Sequence, residues 1–107
     1  MAIITGTVLW VNATAQMVRA EDGKAIYDKN CAMCHGPGGK GDGPAGKALK
    51  PPPGDFATTA KAMAAADIEK MVKEGSKEAG KTHAAFGKKL SDEQIKAVAQ
   101  HVKDLAK

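Results

Sequence analysis

Cys31, Cys34 and His35 lie together in the run NCAMCH, residues 30–35, and no other cysteine occurs in the chain. The pattern is C-x-x-C-H, which reads as a c-type haem attachment sequence. Two thiols at this spacing on a helical turn can reach the two vinyl groups of one porphyrin. The imidazole of the next residue then points at the iron from the same side. Cys31 and Cys34 are thus expected to carry the covalent attachment, and His35 to be an axial ligand. Two other uses of such a motif compete. A disulfide oxidoreductase also carries C-x-x-C, but in a βαβ context that this sequence does not offer. A structural zinc site wants four ligands, and only His83 and His101 remain to complete one. One haem c per chain is the cofactor that best accounts for the motif.

The elements around the motif must position it. Residues 1–20 are rich in Ile, Val and Thr, hold the single Trp, and contain no Lys. IITGTVLWV and AQMVRA read as two short strands around NAT. The same stretch has the apolar core of an export signal, with ATA before Gln16, but lacks a positive n-region; a β-rich extension is the better reading. From Asp22 onward the pattern changes. EDGKAIYDKNCAMC reads as an amphipathic helix leading into the motif. HGPGGKGDGPAGKALKPPPGDF follows, too rich in Gly and Pro for regular structure beyond one turn at Ala45–Leu49. A loop this long in a small domain is expected to wrap something. TTAKAMAAADIEKMVKEG reads as helical, with a break before Ala66, an apolar face of Ile68, Met71 and Val72, and a stop at Gly75. SKEAGKTHAAFGKK is a second loop. The last helix has Ser91 as N-cap and an apolar stripe of Leu90, Ile95, Val98, Val102 and Leu105.

Composition points the same way. The chain has 107 residues, only four of them aromatic (Trp10, Tyr27, Phe56 and Phe86), which makes a thin core. Domains this small commonly need a disulfide, a metal or a bound cofactor, and a haem would supply the missing apolar mass. The net charge is +4. The lysines are scattered beside acidic residues, which suits a solvated face better than a nucleic-acid surface. No stretch of about 18 apolar residues is present to span a membrane.

With these residues in view, the sequence resembles the class I c-type cytochromes. The resemblance covers roughly residues 22–107 and rests on GKAIYDKNCAMCHGPGGKGDGPAGKALKPPPGDF and AAFGKKLSDEQIKAVAQHVKDL. It implies an all-α, small class I cytochrome c fold around one covalently attached haem. Residues 22–107 would form the monohaem domain, and residues 1–21 the N-terminal β-strand or hairpin extension. The family's crossing of first and last helices would use Gly23 and Tyr27 against Val98 and His101. The family carries electrons between larger redox proteins and catalyses no reaction of its own. Attachment of haem to C-x-x-C-H in its bacterial members happens outside the cytoplasmic membrane, which implies a periplasmic or extracellular protein.

One departure from the family pattern matters most. The family places its second axial ligand, a methionine, in a Met-Pro-x-Phe context shortly before the last helix. This sequence has THAAFGKKLSDEQI, with His83 in the methionine position and Ala84 in the proline position. His35 and His83 are therefore expected as the two axial ligands. Met63 and Met71 are the alternatives, but their spacing on an apolar face suits core packing. His101 reads as a packing residue at the helix crossing. Bis-imidazole ligation implies a lower potential than His/Met ligation. The main alternative to an electron carrier is a haem sensor or weak peroxidase with a labile His83. A third reading is self-association, a homo-oligomer or filament formed by strand pairing through residues 3–19.

Overall fold

The structure, a computed structural model, describes residues 20–78 and 82–107. Five α-helices and one 3-10 turn account for its regular structure: α1 (Ala20–Asn30), α2 (Ala32–His35), the 3-10 turn Gly46–Ala48, α3 (Phe56–Thr59), α4 (Ala65–Glu74) and α5 (Asp92–Leu105). Among the described residues there is no strand, and the single β-type pairing is an isolated bridge between Ser76 and His83. The expected all-α architecture is present. The two strands expected within residues 1–20, and the self-association surface at 3–19, lie outside the described residues.

α5 is the spine of the fold. Ser91 starts it with a capping box: its hydroxyl accepts from Gln94 N at 3.2 Å, and its own N–H donates to Gln94 Oε1 at 2.8 Å. These bonds satisfy two amide donors that a helix start otherwise leaves open. Ile95, Val98, Ala99 and Val102 then fall on one buried face. α1 and α4 both pack there, α4 contributing Ile68 and Val72.

The crossing of α1 over α5 is close because Gly23 has no side chain. A Cβ at this position would collide with the Ala97 carbonyl, whose carbon lies 2.8 Å from where it would stand. One turn later Tyr27, fully buried, sets its ring 5.0 Å from that of His101. The residues expected at the crossing meet there, with Ala97 rather than Val98 opposite the glycine.

The stretch before Gly75 is broken ahead of Ala66, as expected: α3 ends at Thr59 and α4 begins at Ala65. Lys103 of α5 donates to the carbonyls of Lys61 at 3.0 Å and Met63 at 2.7 Å. Asp55 caps α3 by accepting from Ala57 N at 2.9 Å.

Candidate metal centre

The C-x-x-C-H motif bridges two helices rather than riding on one. α1 ends at Asn30, and Cys31 takes a non-helical conformation that starts the short α2. The amides of Cys34 and His35 both donate to the Cys31 carbonyl, at 3.2 and 2.9 Å. One tight turn thus presents both thiols and the imidazole. Both cysteines are free and half-buried. Burial, with Cys34 adding to it, pushes the Cys31 thiol up to about 11. At neutral pH it stays S–H, poorly suited to act as a thiolate nucleophile.

The Gly/Pro loop is tied to this turn by backbone bonds. Gly41 N donates to His35 O at 2.8 Å, Gly43 N to Cys34 O at 3.2 Å, and Ala45 N to Met33 O at 2.9 Å. Glycines at 43 and 46 are required here: a Cβ on either would strike the carbonyls of Ala32 and Met33, or of Cys34. The loop therefore wraps the motif, as its length suggested. From the other side, the buried Tyr27 hydroxyl donates to Gly36 O at 2.6 Å. Burial raises the Tyr27 phenol well above its ordinary range, so it remains a donor at all ordinary pH.

His35 lies against two rings. Phe56 is 4.8 Å away at 31°, and His83 is 5.9 Å away at 32°. Burial, and secondarily the neighbouring His83, push the His35 imidazole down to about 4, so it is neutral at pH 7 with a lone pair to give. Its Nδ1 is buried and has no hydrogen-bond partner. The nitrogen of a ligating imidazole that does not bind the metal ordinarily has an acceptor, and this one has none. His83 is half-exposed, and its Nδ1 stands 2.7 Å from the carbonyl oxygen of Ala84. A carbonyl only accepts, so in the neutral ring Nδ1 carries the proton and Nε2 is the nitrogen with a lone pair.

The residues present fit a haem iron. Two imidazoles sharing one metal need ~2 Å for each metal–nitrogen bond and about 1 Å more from nitrogen to ring centre on each side, ~6 Å in all. The two ring centroids stand 5.9 Å apart, which leaves room for a metal between them. A zinc site does not fit: among the described residues no three His, Cys, Asp or Glu side chains converge to hold a metal ion.

The other candidates stand apart. Met63 is half-buried and packs on the core. Met71 is half-buried on α4, and His101 sits on Tyr27. Sequence reasoning did not anticipate Phe56 beside His35. It follows a Pro/Gly run, and nothing local marks which ring it meets.

Comparison with known proteins shows the family. Residues 18–102 match the family model described as cytochrome C oxidase, cbb3-type, subunit III. The chain is also 33% identical over 86 residues to the cbb3-type cytochrome c oxidase subunit CcoP of Azospirillum brasilense, covering 80% of this chain and 28% of that protein. The chain thus spans just over a quarter of the relative it matches. It belongs to the cbb3-type cytochrome c oxidase subunit III family, and is a c-type cytochrome that binds haem c covalently and transfers electrons.

Proposed function

We propose that this chain is a low-potential, one-electron carrier whose haem c is tethered by Cys31 and Cys34 and ligated by His35 and His83. The observation that carries this reading is the facing pair of imidazoles, 5.9 Å apart, one neutral by burial and the other with Nε2 free. Bound there, haem c supplies a one-electron couple. The chain's own residues do the rest. The α1–α2 turn presents the two thiols. The wrapped Gly/Pro loop and Phe56 cover the His35 side. Tyr27, through Gly36, anchors the end of the motif. Two strong protein ligands would leave no position for a substrate, which favours electron transfer over catalysis. Imidazole in place of a thioether lowers the potential, because a methionine ligand raises it.

The redox partners follow from the same reading. The relative is an oxidase subunit, and a role as a single-haem relay delivering electrons to a larger redox protein suits a chain of this size. Attachment of haem to C-x-x-C-H supports a role in the bacterial periplasm or outside the cell. No helix among the described residues is long and apolar enough to cross a membrane.

Absorption and magnetic-resonance spectra of the ferric holoprotein test the ligand set. The expected result is a low-spin ferric haem without the near-infrared sulfur-to-iron band. Appearance of that band would replace His83 by a methionine and overturn the reading.

A further inference from the structure

His83 stands on a loop, and a distal ligand on a loop needs something to hold it at the right distance. The described structure shows what does so. α4 ends at Glu74, and Gly75 leaves the helix with φ +67°, its N–H donating to Met71 O at 2.8 Å. The next residue, Ser76, exchanges both backbone bonds with His83: Ser76 N to His83 O at 2.9 Å, and His83 N to Ser76 O at 2.8 Å. Beyond His83 the chain returns to the same helix end. Phe86 N donates to Val72 O at 2.8 Å and Gly87 N to Lys73 O at 3.1 Å. The last carbonyls of a helix have no partner within it. Here three successive ones, of Met71, Val72 and Lys73, are satisfied by Gly75 and by the segment carrying His83.

Gly75 is the residue on which the junction turns. A Cβ there would stand 2.5 Å from His83 O, 2.9 Å from Ala84 C and 2.9 Å from Ala85 N. All three are backbone atoms of the ligand segment, so no side chain can rotate aside to relieve the overlap. The backbone also takes a positive φ, which disfavours any residue with a side chain.

We propose that Gly75 is a positioning residue for the distal ligand: it lets the end of α4 clasp the His83 segment at backbone contact, so that the strength of His83 ligation is set at a residue that never touches the ring. This rests on the reading of His83 as a ligand. Adding a Cβ at 75 pushes on His83 O and Ala84, the residue whose carbonyl also fixes the His83 tautomer. The helix α5 and the Cys31–His35 turn are not part of the junction and should be undisturbed.

The test uses the holoprotein well below its unfolding temperature, with carbon monoxide as the probe of the ferrous form. Carbon monoxide must displace the distal ligand, so its association rate reports how firmly His83 is held. Four variants are compared with the wild type: Gly75→Ala, Ser76→Pro, His83→Ala and Gly23→Ala. Gly75→Ala is expected to speed association by about ten-fold or more, the scale on which supporting residues act on metal sites, and to raise the high-spin fraction of the ferric protein. Ser76→Pro removes the N–H that donates to His83 O and should shift both readouts the same way. It decides the matter if Gly75→Ala yields no holoprotein. Gly23→Ala loosens the remote helix crossing and should leave the rate unchanged. If His83→Ala speeds association but Gly75→Ala and Ser76→Pro do not, the positioning role is overturned while the ligand assignment stands. If His83→Ala itself leaves rate and spectrum unchanged, the ligand assignment fails and the positioning role with it.

Discussion

At the scale of single residues, the site is governed by which atoms have partners. His83 is oriented by a carbonyl one residue away, so replacing its ring changes the donor atom without removing a long-range strut. His83→Met is expected to restore a thioether ligand. The potential should move upward by about 0.1 V, a fraction of the ~0.8 V that axial ligands command, and the near-infrared sulfur-to-iron band should appear. Redox titration with spectra of the ferric variant checks both. Tyr27 acts differently. Its hydroxyl makes a short bond to a buried backbone carbonyl, Gly36 O, immediately after His35. Tyr27→Phe keeps the ring and its contact with His101 but leaves that acceptor unsatisfied, at a cost of about 1–3 kcal/mol. Chemical denaturation of the holoprotein should show a lower midpoint with an unchanged slope.

At the scale of elements, the fold depends on how closely α1 can approach α5. Gly23 sets that approach, since any Cβ would overlap the Ala97 backbone carbonyl. Gly23→Ala should therefore destabilise by about 1–3 kcal/mol, the usual range for overpacking, despite the better helix propensity of alanine; thermal unfolding measures it. What could be read from sequence, and what could not, divides along the same line. The start of α5 was legible to the residue because its signals are local: Ser91 as N-cap, then a regular apolar stripe. The turn of Cys31, Cys34 and His35 was legible because the chemistry itself dictates the spacing. The break between α3 and α4 was read ahead of Ala66, but not its extent: every residue from Thr58 to Ala66 is compatible with helix, and Lys103, which donates to Lys61 O in the gap, lies 42 residues away. The unsatisfied Nδ1 of His35 was equally invisible, since its surroundings are assembled from several segments. His83 lies between these cases. Its type and its place before α5 marked it as a candidate ligand, whereas the Gly75–Ser76 clasp beneath it depends on a tertiary contact.

At the scale of the whole molecule, the question is whether the protein part alone can hold the fold. The buried apolar side chains among the described residues number eleven, and four of these are alanines: Ala60, Ala97, Ala99 and Ala106. Alanine contributes little apolar area, and only Tyr27 and Val98 are large side chains with essentially no exposure. Small domains with cores of this kind are near balance between burial and chain entropy. Several costs also fall on the site itself: a buried unpartnered nitrogen in His35, and a long loop of glycine and proline whose ordering must be offset by contacts. A haem tethered to the chain is present in both states but is packed and ligated only in the native one, so it stabilises that state. The chain with Cys31→Ala and Cys34→Ala together, matured under the same conditions, should therefore carry no covalent haem. It should lose the sharp, cooperative thermal transition of the holoprotein while keeping part of its helical signal. Far- and near-ultraviolet circular dichroism through a thermal ramp separates the outcomes. A cooperative transition at an unchanged temperature would mean that the helices suffice, and that the haem is cargo of this fold rather than part of its core.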